Sequence, residues 1–315
     1  MGFNEMVGKI RKVLRLPFDR FIEKVWERIL AHSPFAAMLE HILGAARHEQ
    51  LTRCVSLRYW PDVTDPESFN EKILRRKLFT QNNLFYRVAD KVEVREYVRE
   101  KVGEEVLNEV FIITDQPVRL RLETLPNQFV AKSSHGSGQN LIVEDKASIS
   151  EEEIRKTCAN WLTVNPAKEK REYWYQKEGA QIIVEKLLRG QHQKIPRDYK
   201  LFVFNGNVQV IEVDFDRFDK HTRTLYTREW KLIECSYKFP RGPEVKYPER
   251  LNEMIRVAET LGEDFDFVRV DLYDTPNGGI IFGEMTLAPE AGGGKFQPMS
   301  YDFEIGQLWR MEEKC

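Results

Sequence analysis

The sequence predicts an α+β protein: a mostly helical N-terminal region, then hairpins interleaved with helices. Three observations carry this. Apolar residues recur at helical spacing early in the chain, Asn205-Gly206 sits between two strand-like runs, and a second pair of strand-like runs (267–287) folds about a turn at Asp274 to Gly279. The 315 residues suffice for two or three packed lobes, and 42% hydrophobic with 31% charged residues is the composition of a soluble globular chain. A net charge of −2 argues against a nucleic-acid partner. Cys54, Cys158, Cys235 and Cys315 are far apart with no C-x-x-C pair. That pattern suggests buried thiols in a reducing compartment, not a zinc site or disulfide framework. No apolar run is long enough to span a membrane and no signal-peptide pattern opens the chain, so the expected location is cytoplasmic.

Taken in order, Phe18, Phe21, Ile22, Val25, Trp26, Ile29 and Leu30 fall on one helical face, behind Lys9, Arg11, Lys12 and Arg15. Such a basic amphipathic segment, within residues 1–30, suits the anionic inner face of a membrane as a peripheral contact. It equally suits packing on the rest of the chain or on a second copy in a homodimer. Ser150 with Glu153 forms a capping box opening a helix that lines up Ile154, Cys158, Trp161 and Leu162. "AQIIVEKLL" (180–188) reads as a buried strand, edge-like in position, and "LNEMIRVAETL" (251–261) as an amphipathic helix.

Two hairpins carry the candidate chemistry. "FVAKSSHGSGQNLIVEDK" (129–146) places Lys132 at the root of a loop containing Gly136, Ser137 and Gly138. Backbone N–H groups in such a loop can cradle an anion, although the order differs from a P-loop. In "FVRVDLYDTPNGGIIFGEMTL" (267–287), pairing Tyr273 with Phe282 sets Asp271 opposite Glu284 and Arg269 opposite Thr286. Arg269, Asp271, Glu284 and Thr286 then share one face. Two opposed carboxylates repel unless a cation lies between them, and Mg²⁺ with phosphate oxygens fits. A solvent-facing pair neutralised by Arg269, or a register slipped by one residue, are the alternatives. Joined, the two hairpins suggest a nucleoside triphosphate held between lobes.

Lys91 in "ADKVEVREYV", Lys132 before its glycine-rich loop, "IIVEKLL", "DYKLFVF" and "FVRVDLYD…IFGEMT" follow one another in an order that resembles the ATP-grasp fold. With "SFNEKI" (68–73) and "LPNQFVAK" from Leu125, the chain from about 50 to 310 resembles the TupA-like ATP-grasp family of teichuronopeptide and cell-surface polysaccharide biosynthesis. The resemblance implies two α+β lobes gripping ATP. Residues 1–50 would be a helical amphipathic arm, 51–115 a helical subdomain, 116–190 the small lobe with its lid, and 191–315 the large lobe with the metal site. It implies Lys91 and Lys132 on the α- and β-phosphates, and Gly136, Ser137 and Gly138 as the lid. Glu185, Lys186 and Leu188 would form the hinge that meets adenine. Lys200 would face the triphosphate, Arg269 would steady the transferred phosphoryl group, and Asp271 and Glu284 would be Mg²⁺ ligands. Thr286 stands where many ATP-grasp ligases have Asn, which puts a second metal in doubt.

The implied activity is an ADP-forming carboxylate–amine ligase acting through an acyl phosphate. Its substrates would be a carboxylate-bearing saccharide or peptide, such as a uronic acid or glutamyl unit, and an amine. A kinase acting on a sugar-type hydroxyl, a glycosyltransferase and an ATP-binding scaffold without turnover are the competing readings. Asp214 and Asp216 form a D-x-D that would serve the glycosyltransferase, or else mark a strand's wet face. His135 reads as a solvated loop residue or a substrate contact, and Lys295 in "EAGGGKF" as a surface-loop residue or a substrate contact. "REYWYQK" (171–177) suits packing, an interface or stacking on a sugar.

Overall fold

The computed structural model describes residues 29–30, 34–164, 167, 171–176, 179–190, 196–215, 220–276 and 279–311. Most of the predicted N-terminal amphipathic face therefore lies outside the described residues. Its last member, Leu30, is buried against Leu51, Cys54 and Val55. Five helices come first: α1 (Pro34–Leu43), α2 (Ala45–Leu57), α3 (Phe69–Phe79), α4 (Asn83–Ala89) and α5 (Val94–Val102). The "SFNEKI" block owes its pattern to the start of α3. Ser68 and Glu71 form a reciprocal capping box, and the Glu71 carboxylate also accepts from the Asp62 and Glu67 N–H groups. Two orphan donors at a helix start are satisfied this way.

A four-stranded antiparallel sheet in the order β1-β4-β2-β3 forms the small lobe, from β1 (Val110–Thr114), β2 (Phe129–Ser133), β3 (Asn140–Val143) and β4 (Ile182–Lys186). β1 belongs to this sheet although it precedes residue 116. Helix α6 (Glu151–Thr163) covers the sheet, with Ile154 and Cys158 in its core and Ser150 accepting from the Glu153 N–H. β4 is an interior strand, paired on both sides by β1 and β2, not the edge its sequence suggested.

The large lobe is a six-stranded antiparallel sheet, β11-β10-β5-β6-β7-β8. Its strands are β5 (Asp198–Phe204), β6 (Asn207–Phe215), β7 (Thr222–Thr227), β8 (Leu232–Ile233), β10 (Phe267–Thr275) and β11 (Gly279–Thr286). Short strands β9 (Ser236–Tyr237) and β12 (Phe296–Gln297) pair beside it, and helices α7 (Leu251–Gly262) and α8 (Ser300–Gln307) complete it. The β5–β6 turn is Asn205 at φ 47° and Gly206 at φ 79°, the double left-handed turn that Asn-Gly favours. One core unites the large sheet with the N-terminal helices, through Phe69, Phe85, Tyr97, Phe202, Phe267 and Trp309. No described helix is long and apolar enough to cross a membrane.

Candidate functional site

The site begins with two β-bulges. In β10–β11 the register runs Thr275↔Gly279 to Leu272↔Phe282, then jumps to Asp271↔Glu284 and Arg269↔Thr286. Gly283 is the extra residue; a Cβ there would lie 3.0 Å from the Tyr273 ring and 3.1 Å from the Asp271 carbonyl. Tyr273 therefore faces Ile281 and not Phe282, which corrects the expected pairing near the turn and leaves intact the pairing at the carboxylates. The Phe282 N–H donates to the Val106 carbonyl at 2.7 Å. A second irregularity, between Phe202 and Val203 in the β5–β6 pairing, sets Lys200 opposite Glu212. Since Lys200 also pairs with Asp271, the residues Glu284, Asp271, Lys200 and Glu212 form one row across four strands. Bulges re-aim side chains in this way.

The row is dense with charge. Lys200 Nζ donates to Asp198 at 2.5 Å and to Asp271 at 2.6 Å, and its side chain is 2% exposed. Arg269 grips both Asp271 oxygens at 2.7 Å, and its Nη2 reaches the Thr286 hydroxyl at 3.0 Å and Glu284 at 3.3 Å. Burial opposes the Arg269 charge, but Asp271, Glu212 and Glu284 hold its pKa well above the ordinary value. Arg223 donates to Asp214 at 2.8 Å, forms an ion pair with Glu212 at 2.9 Å, and reaches Glu290 at 3.2 Å. Burial pushes the Glu212 carboxyl up to about 7 against the pull of Arg223. Asp214 and Glu212 are thus buried and neutralised, not on a wet face, and Asp214 is spent on Arg223. Asp216 lies outside the described residues. Among the described residues no three His, Cys, Asp or Glu are arranged to hold a metal. Asp271 and Glu284, flanked by Thr286, fit an ion that completes its shell with substrate oxygens, as Mg²⁺ does.

Across from the row stand the small-lobe cations. Lys132 Nζ bonds Glu185 at 2.6 Å, and Arg95 reaches the other Glu185 oxygen at 3.4 Å. Lys91, in the turn between α4 and α5, donates from Nζ to the Gly136 carbonyl at 2.6 Å. Burial lowers the Lys91 pKa, Glu284 opposes that, and Lys132 adds to it. Lys91 is thus within electrostatic reach of Glu284 in the large lobe and of Lys132 in the small one. The base of the glycine loop is tied down: the Ser134 carbonyl accepts from the Lys91 N–H, and the Ser134 N–H donates to Gln181. Only the tip, Ser137 and Gly138, is exposed, with Gly138 at φ 83°. His135 is buried, which corrects its reading as solvated. Its Nε2 lies 3.1 Å from the Val164 carbonyl, and Nδ1 has no hydrogen-bond partner among the described residues. At the end of β4, Lys186 is exposed and its backbone is used, the N–H by Glu109 and the carbonyl by Asn108. Leu187 and Leu188 follow beyond the end of β4.

Lys295 lies in a packed segment, not a free loop. Gly292 abuts Ile73 and Leu74, Gly293 abuts Arg53, and Gly294 abuts Tyr237, each closer than a Cβ tolerates without movement. The Lys295 carbonyl accepts from the Lys238 N–H at 2.8 Å. Sequence reasoning missed Asp198, Glu212, Arg223 and Tyr175; burial raises the Tyr175 hydroxyl pKa well above its usual value, with Glu172 and Glu284 adding. It also missed Arg76, which donates to the Phe267 carbonyl at 2.8 Å and the Leu287 carbonyl at 3.0 Å. Arg76 thereby braces both strands of the carboxylate hairpin at its open end. The one signal for it was its place in the helix that "SFNEKI" starts.

Similar solved structures include the ATP-grasp ligase PsnB complexed with a phosphomimetic variant of minimal precursor, Mg and ADP, at 15% identity over 76% of this chain and 59% of that chain, TM-score 0.37. The ADP complex of purK, N5-carboxyaminoimidazole ribonucleotide synthetase, is 13% identical over 65% of this chain and 46% of that one, TM-score 0.38. D-alanine–D-alanine ligase from Bacillus anthracis complexed with ATP is 15% identical over 64% and 55%, TM-score 0.39. The chain thus spans about half the length of these three structures. No curated protein matches the chain. The family model for TupA-like ATP-grasp proteins matches residues 71–310, so the chain belongs to the TupA-like ATP-grasp family.

Proposed function

We propose that the protein is an ATP-dependent, ADP-forming carboxylate–amine ligase, with a uronic acid or glutamyl unit of a cell-surface polymer as the carboxylate. The observation that carries the reading is the row Glu284–Asp271–Lys200–Glu212 with Arg269, buried except at Glu284, with Lys91 in electrostatic reach of Glu284 and of Lys132. No nucleophilic side chain stands in it. Such a set suits phosphoryl transfer, which depends on positioning and charge neutralisation. Lys91 and Lys132 would hold the inner phosphates, the Ser137–Gly138 tip would close over the outer ones, and Leu188 would border the adenine. Asp271, Glu284 and Thr286 would hold Mg²⁺, which supplies charge neutralisation on the phosphoryl oxygens. Arg269 and Lys200 keep Asp271 oriented. Lys295, with His135 at the lid base, would border the substrate.

In the first step a substrate carboxylate oxygen attacks the γ-phosphorus and the bond to the bridging oxygen breaks, giving ADP and an acyl phosphate. In the second the amine attacks the acyl carbon, phosphate leaves, and the amine loses a proton. Hydroxylamine in place of the amine tests this: the expected products are ADP and the substrate hydroxamate. AMP, or a phosphate ester stable to hydroxylamine, overturns the ligase reading, and the ester identifies a kinase.

A further inference from the structure

We propose that a cleft on the far side of the large lobe is a second binding site, for an acidic saccharide unit. The cleft has a volume of about 530 Å³ and is bordered by Arg228, Glu229, Tyr247, Asn252 and Arg256, with Ile255 at its floor. It is separate from the charged row. Helix α7, which carries Asn252 and Arg256, packs on the Val203 face of the sheet, where a Cβ on Gly262 would meet Val203 at 2.6 Å. Lys200 and Val203 are an odd number of residues apart on β5 and so point to opposite faces.

Tyr247 is 54% exposed, yet its ring is held from below. It meets Trp230 edge-on at 6.4 Å, and Trp230 stacks flat on Tyr226 at 4.2 Å. The Val245 backbone locks the pair: its N–H donates to the Tyr226 hydroxyl at 2.7 Å and its carbonyl accepts from Trp230 Nε1 at 2.9 Å. The Tyr247 ring thus rests against a locked aromatic pair, and a tyrosine offers contact area at low entropic cost. Around it the polar groups are mixed. The Tyr247 hydroxyl donates to Asn252 Oδ1 at 3.4 Å, which leaves the Asn252 amide nitrogen for a ligand acceptor. Glu229 is an exposed acceptor. Arg228 is neutralised by Glu259, whereas Arg256 is exposed and makes no ion pair among the described residues. A ring platform, one amide donor, one acceptor and one guanidinium outside any ion pair among the described residues match a pyranose with vicinal hydroxyls and a single carboxylate. A site across the sheet from the reacting centre would hold a distant unit of the same polymer and raise its local concentration. In this respect the proposal rests on the polymer reading above.

The test uses the full chain, titrated by calorimetry with a galacturonate oligomer and with a neutral galactose oligomer. The acidic oligomer is expected to bind more tightly than the neutral one. Tyr247→Ala and Arg256→Gln are each expected to weaken it about tenfold without lowering the melting temperature. Binding unchanged in both variants, or equal for the two oligomers, overturns the site. ADP affinity on the same samples reads the nucleotide site alone and should not move in either variant; a parallel fall overturns a separate cleft. Failure of the unaltered protein to bind ADP strikes the ligase reading instead.

Discussion

The two halves of the proposed nucleotide site solve the problem of holding charge differently. In the small lobe, Lys132 is a quarter exposed and answers to one carboxylate, Glu185, beside a loop whose tip is in solvent. In the large lobe, Lys200, Asp271 and Arg269 are nearly inaccessible and satisfy one another before any ligand arrives. Desolvating ions is costly, so a buried network persists only where its geometry is well satisfied. The small lobe can therefore adjust as ligand enters, whereas the large lobe presents a fixed arrangement of charge.

Removing single members of each half sharpens that contrast. The largest effect is expected at Asp271, where Asp271→Asn should lower ATP turnover by about a thousandfold while the fold persists; near-normal turnover with unchanged circular dichroism would mean that the row is not the reaction centre. Next is Arg223→Met. It leaves Glu212, Asp214 and Glu290 without their shared cation and should cost about 3–5 kcal/mol in a denaturant titration. A loss under 1 kcal/mol, as for surface pairs, would erase the distinction between the lobes.

Lys132→Ala should act in the opposite manner. Nucleotide affinity falls by about tenfold, equivalent to ~1.4 kcal/mol, and the melting temperature barely moves, because Glu185 keeps Arg95. Calorimetry showing unchanged ADP affinity would return residues 129–146 to an ordinary hairpin.

The smallest effect is a slope. Glu212 is raised to about 7 by burial, so between the unfolded carboxyl value near 4.3 and that folded value the native state holds the extra proton. Stability from this group is fully present below the unfolded value and is lost as pH rises through the folded one. Glu212→Gln should therefore flatten the fall in melting temperature over that window. An unaltered pH profile would show that Arg223 keeps Glu212 ionised throughout.

Much of this was legible in the chain because it is local. Asn205-Gly206 demands left-handed φ at both positions, and so specifies its hairpin. Ser150, three residues before Glu153, caps a helix, and the period of two put Arg269, Asp271, Glu284 and Thr286 on one face. Tertiary structure decided what depends on partners distant in sequence. A bulge at Gly283 and another opposite Phe202 align Lys200 with both Asp271 and Glu212, and no pattern within one strand reveals where a ladder will skip a residue. Burial turned the D-x-D aspartate Asp214 from a wet-face residue into the partner of Arg223, nine positions away on the next strand. Arg76 became the brace of Phe267 and Leu287, about two hundred residues on, because a buried guanidinium must find several acceptors, and only the packed fold supplies them.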